Sequence, residues 1–324
     1  MFRDLVAASK DCTRKRHKLD LRKVAQLARR QDEQLMNDPT RGDVPKVLNL
    51  TGVVFHESRC GSTLVANSLI GMNPTKHRTY SESTPPATAI HGVCGETYSL
   101  CTVDQAAMIL RDTMYLMSRS NDPKEERVFF KFQSVTTRNL PVFLKAWPQV
   151  PWIFVYRDPV QVMMSHVRDG VDHANCVRGR FRAPSIVKQI VKKYAGRTPK
   201  LDVSTMPGEY YCAAHLASIT ESAMSALEDE KHSGKQRGIP VVYDSLPNIL
   251  YEKILPDYWG VPVTSTEIEN IQRVSEKYAK GRGNRAHKFE SDSERKEQEA
   301  SKAVKDAADL FLKPSFDMLS NYQY

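Results

Sequence analysis

No apolar run in this 324-residue chain approaches the length of a membrane-spanning helix, and the opening MFRDLVAASKDCTRKRHK lacks the apolar centre of a secretory leader. The expectation is a protein soluble as given, either cytoplasmic or, if an N-terminal anchor is missing from this chain, resident in a lumen. A CxxC pair is absent, as is any His/Cys cluster at zinc spacing. No metal is therefore expected. The six cysteines, Cys12, Cys60, Cys94, Cys101, Cys176 and Cys212, are scattered and read first as buried free thiols, with a Cys94–Cys101 disulfide left open for an oxidising lumen. Fixed-period repeats, low-complexity tracts and long Lys/Arg blocks are also missing. The net charge of +9 is thus spread along the chain, which fits a nucleotide or a sulfated or acidic substrate at least as well as nucleic acid.

What is present points to an α/β protein. The length and the 40% hydrophobic content suffice for one large core. Residues 1–46 are polar and charged, with a helical pattern from Leu19 to Met36 interrupted by Pro39 and Pro45, and read as an N-terminal extension to a domain over 47–324. Within that domain, Val53–Phe55, VFFKF at 128–132, WIFVY at 152–156 and IPVVY at 239–243 read as buried strands separated by helical segments. That alternation predicts helices flanking a central, mainly parallel sheet, with ligands at the carboxyl ends of its strands. The Ser/Thr/Pro-rich stretch from Met72 to Gly92 reads as a loop carrying Glu82, and a single charged helix is expected from Asp292 to Leu312.

The organising stretch is TGVVFHESRCGSTLVANSL, Thr51 to Leu69. A strand that turns at Cys60-Gly61-Ser62-Thr63 into a helix presents backbone N–H groups at the positive end of a dipole, which is a cradle for an anion. Gly61 lets a phosphate approach the backbone, Ser62 and Thr63 add hydroxyls, and Arg59 supplies a planar cation. A nucleotide kinase would carry GxxxxGK[ST], but the Lys that pattern requires is missing here. The loop suits phosphate chemistry without a metal.

Phe55–Leu69 resembles the 5′-phosphosulfate loop of sulfotransferases that use 3′-phosphoadenosine 5′-phosphosulfate, in the RxGSTL form of Golgi and many bacterial members. WIFVYRDPVQVMMSH is similar to that family's second signature, a strand ending in Arg with a Ser eight positions on, here Arg157 and Ser165. The resemblance implies a three-layer P-loop-type fold and sulfuryl transfer to a hydroxyl or amine of an unidentified small-molecule, glycan or peptide acceptor. It implies donor contacts at Arg59, Cys60, Gly61, Ser62, Thr63, Leu64, Arg157 and Ser165, and at Lys280 and Arg282 in a basic loop. Lys131 matches the strand lysine that meets the leaving group, and Glu82 stands where Golgi-type members place a general base. The cytosolic-type His is replaced by Gln133, while His56, His91 and His166 compete as bases. The alternatives are a P-loop phosphotransferase and an inactive module that binds a nucleotide or an anionic glycan.

Overall fold

A computed structural model describes residues 19–38, 40, 45–194, 201–277 and 292–322. In chain order the elements are α1 Leu21–Met36, β1 Lys46–Val47, β2 Asn49–His56, α2 Ser62–Met72, β3 His77–Ser81, α3 Thr84–Cys94, α4 Val103–Ser118, β4 Arg119–Ser120 and β5 Arg127–Lys131. They continue with α5 Leu140–Ala146, β6 Trp152–Tyr156, α6 Pro159–Val167, α7 Ser185–Tyr194, α8 Gly208–His232, β7 Gly238–Val242 and α9 Ser265–Ser275. The chain closes with α10 Ser293–Glu299, α11 Lys302–Phe311 and α12 Lys313–Ser320.

The fold is α/β. A five-stranded sheet in the order β3-β5-β2-β6-β7, parallel at every pairing, runs through the core between helices. Its inner strands are apolar on both faces: Val53 to Phe55, Val128 to Phe130 and Trp152 to Val155 are all buried. That is the pattern of strands covered by helices on either side, and Phe55 packs edge-on against both Phe143 of α5 and Trp152. From β2 the chain leaves toward β3, whereas from β6 it leaves toward β7. The order of connections therefore reverses between β2 and β6, the point where sheets of this topology have their ligand-binding crevice, at the carboxyl ends of the strands.

Several expectations need correction. Residues 72–92 are an edge strand and a helix, β3 and α3, rather than a loop. HRTYS lacks an apolar run because, as an edge strand, it has only one neighbour, β5, and is buried less fully. The single C-terminal helix is three, broken before Ser301, which caps α11, and again at Leu312. The thiols are paired: Cys94–Cys101 staples the end of α3, and Cys176–Cys212 ties the loop after α6 to α8. The second pairing spans 36 residues, a separation from which sequence alone indicates no partner. Among the described residues Cys60 is the free thiol. No described helix is long and apolar enough to cross a membrane.

α1 lies against α4, where Asp32 is buried and accepts from Arg119 Nη2 at 2.6 Å and Nε at 2.9 Å. Arg119 holds the Asp32 carboxyl below its usual range although burial alone would raise it.

Candidate functional site

Between β2 and α2 the backbone coils tightly. Ser58, Arg59 and Gly61 take φ values of 83°, 58° and 85°, all left-handed. A Cβ at position 61 would overlap the Tyr243 ring, so the turn needs glycine for both conformation and space. Gly61 caps α2 with no side-chain hydrogen bond, which leaves the helix's positive end to other partners. The Leu64 N–H donates to the Gly61 carbonyl at 2.8 Å and is withdrawn from any ligand. Cys60 turns inward and donates its S–H to the Val155 carbonyl at 3.0 Å; burial pushes its thiol up to about 11, so it stays protonated. Ser62 is buried and Thr63 half-buried. Arg59 is half-buried and pairs with no carboxylate among the described residues.

The second motif starts beside the first. β6 lies directly alongside β2, with His56 opposite Val155, so the segment after each strand opens into the same crevice. Arg157 is buried, with its guanidinium 4.1 Å from the centre of the Tyr243 ring. That ring is the one against Gly61, so Tyr243 touches both clusters. Arg157 donates to Gln161 Oε1 at 2.8 Å, to Asp292 Oδ1 at 3.2 Å and to Ser293 Oγ at 3.0 Å. Asp292 also accepts from Lys296 Nζ at 2.8 Å. Burial holds Lys296 below its ordinary value, and the charges of Arg157 and Arg59 push in the same direction against its bond to Asp292. Three cations thus converge on one cleft. Ser165 lies on the same stripe of α6 as Gln161, one turn on, and its hydroxyl donates to the Gln161 carbonyl at 2.8 Å.

Beyond β5 is a third cluster. Glu82 follows β3 directly, and its N–H donates to the Lys131 carbonyl at 2.7 Å. Its carboxylate is paired with the ammonium of Lys131, which is 2% exposed. Burial tends to raise the Glu82 carboxyl, but the hydrogen bond from His56 and the Lys131 charge outweigh it and hold the group far below the carboxylate range. His56 Nε2 lies 3.0 Å from the Phe132 carbonyl and 3.5 Å from Glu82, while Nδ1 accepts the Ser58 N–H at 3.1 Å. Burial, aided by the Lys131 charge, lowers His56 to about 4. With both nitrogens engaged, this neutral ring supports the loop instead of offering a base.

No protein-family model matches the chain, and no curated protein matches it in sequence. Among solved structures it is similar to the sulfotransferase domain from the Synechococcus PCC 7002 olefin synthase. That likeness has a TM-score of 0.41 at 11% identity, over 86% of this chain and 97% of that one, and it concerns chain architecture alone.

Of the residues singled out in the sequence, Arg59, Gly61, Ser62, Thr63 and Arg157 lie at the adjoining ends of β2 and β6, Cys60 and Leu64 are turned to internal partners, and Glu82 and Lys131 form a pair at the ends of the neighbouring strands. Lys280 and Arg282 lie outside the described residues. Sequence reasoning missed Tyr243, Asp292 and Lys296, whose places depend on contacts far along the chain. It also missed Glu57, which directly follows β2 although no acidic strand end was recognised there. Glu57 is 2% exposed, accepts the Arg157 N–H at 3.3 Å, and is pushed up to about 8 by burial. Burial thus favours its protonated form beneath the turn. His166, Cys176 and Cys212 bring their ligating atoms within 4.8 Å of one another, but the two sulfurs are bonded to each other.

Proposed function

We propose that this protein is a sulfotransferase that moves a sulfuryl group from 3′-phosphoadenosine 5′-phosphosulfate to a hydroxyl or amine of an acceptor. The observation that carries the reading is the convergence of two basic-and-hydroxyl clusters on one crevice at the reversal point of a parallel sheet, bridged by Tyr243. The cleft fits a doubly anionic nucleotide. Arg59 has no acidic partner among the described residues, the turn carries the positive end of α2, and Arg157 and Lys296 are satisfied by one carboxylate, Asp292, which an anion can replace.

When bound, the donor supplies an activated sulfur and a phosphate leaving group. Arg59 and the Gly61–Thr63 turn would grip the 5′ end, while Arg157 and Ser165 would hold the 3′-phosphate. The acceptor oxygen forms a bond to sulfur as the bond from sulfur to the bridging oxygen breaks, and the electron pair stays on the departing phosphate. Lys131 would neutralise that charge, and Glu82 would receive the acceptor's proton. Their ion pair suggests an order of events. While Lys131 holds it, Glu82 is a weak base; once the ammonium turns to the leaving group, the carboxylate loses its counter-ion and its proton affinity rises. The two disulfides favour an oxidising compartment such as a secretory lumen.

Single-turnover incubation with donor carrying radiolabelled sulfur tests the reading. Transfer of label to an acceptor supports it. Donor binding without any transfer would instead favour the nucleotide-binding module that Gln133 leaves open, and turnover of ATP with magnesium would favour a phosphotransferase.

A further inference from the structure

A cavity of about 240 Å³ has a wall that includes three arginines, Arg138, Arg178 and Arg182, and two histidines, with no carboxylate among the described residues that line it. Part of its wall comes from the segments that follow Lys131 and Glu82 in the chain. The Ser134–Asn139 turn follows β5 and Lys131, and His91 stands two turns along α3, which starts just after Glu82. The helical rise puts His91 on the order of 10 Å from the start of α3.

Resting on the sulfotransferase reading for its role, we propose that this cavity receives an anionic group of the acceptor, a carboxylate or a sulfate ester, and so selects acidic acceptors. Arg138 is built in: it is buried and donates to Ser218 Oγ at 3.0 Å and to the His215 carbonyl at 3.2 Å. Arg178 and Arg182 are exposed and have no ion-pair partner among the described residues. Their turn is nonetheless fixed. Arg180 between them donates to the carbonyls of Val203 at 3.2 Å, Ser204 at 3.0 Å and Met206, and the Cys176–Cys212 bond anchors the segment to α8. Two guanidinium groups at a small cavity, with no carboxylate paired to either among the described residues, are available to an anion, and the more enclosed Arg138 stands behind them. A second observation points to a ligand: Asn139, 3% exposed, lines the cavity with its Oδ1 lacking any hydrogen-bond partner among the described residues, an acceptor that a hydroxyl beside the ligand's anionic group would satisfy.

The size suits one sugar-sized ring, which sets the probes. Saturation-transfer NMR without nucleotide would compare cellobiouronic acid with cellobiose, and glucose 6-sulfate with glucose. The expected result is at least about tenfold tighter binding of one or both acids than of the neutral partner, which is what one charge-assisted contact supplies. The stronger arm identifies the anion. That preference should vanish in the Arg178→Ala/Arg182→Ala variant and persist in the Arg178→Lys/Arg182→Lys variant. Equal affinity within both pairs, no binding by any probe, or preference retained in the alanine variant would overturn the proposal. A parallel titration with adenosine 3′,5′-bisphosphate judges the sulfotransferase reading by itself, since the acid preference is measured without nucleotide.

Discussion

Glu57 lies beneath a turn suited to anions, and burial pushes its carboxyl from 4.5 up to about 8, so its proton links stability to pH. Between those two values the folded chain holds a proton that the unfolded chain releases. Stability from this group is therefore retained below pH 4.5 and falls as pH rises, by about 1.4 kcal/mol per unit until pH 8. Glu57→Gln removes the dependence. Melting curves of variant and wild type are expected to coincide near pH 4.5 and to separate steadily toward pH 8, with the variant the more stable; parallel curves would show that Glu57 is ionised throughout. For Glu82, held ionised by His56 and Lys131, the prediction is kinetic: Glu82→Gln should lower kcat by about 10²–10⁴ while nucleotide affinity stays within twofold, as single-turnover rates and calorimetry can show. A fully active variant would assign the proton to another group. Arg59 and Gly61 were readable from sequence because turn chemistry is local, whereas Glu57 was passed over since nothing in HESRC signals burial beneath the turn. Tyr243, nearly two hundred residues further on, has no local signature at all.

At the scale of elements, β5, β6 and β7 were legible as apolar runs because strands covered on both faces need them. β3 was not, although it delivers Glu82, since an edge strand tolerates His, Arg and Thr. α10 carries the most specific consequence. The carboxylate of Asp292, its N-cap, pairs with both Arg157 and Lys296 and would compete with a phosphate for them, so Asp292→Asn should tighten binding of adenosine 3′,5′-bisphosphate several-fold by calorimetry. Weaker binding would mean that the carboxylate positions the cations instead of competing for them. The Cys176–Cys212 bond closes a loop 36 residues long, which is worth about 4 kcal/mol by chain-entropy arguments. Reductant should lower the melting temperature by several degrees as thiol titration rises by four. An unchanged melting temperature with those thiols exposed would contradict a structural role for the bonds.

Across the whole molecule, the parallel sheet joins two sequence motifs about a hundred residues apart. The alternation of strands and helices made that sheet readable, but its order, and hence the adjacency of β2 and β6, emerges only from packing. The account depends on Arg59 and Arg157 acting on one ligand from opposite ends. The most direct measurement is calorimetric titration of wild type, Arg59→Ala and Arg157→Ala with adenosine 3′,5′-bisphosphate and with adenosine 5′-monophosphate. The account predicts that wild type prefers the bisphosphate by at least about tenfold, that Arg157→Ala loses this preference, and that Arg59→Ala weakens both ligands by about ten- to a hundredfold. Equal affinity of wild type for the two nucleotides, or no binding of either, would contradict it.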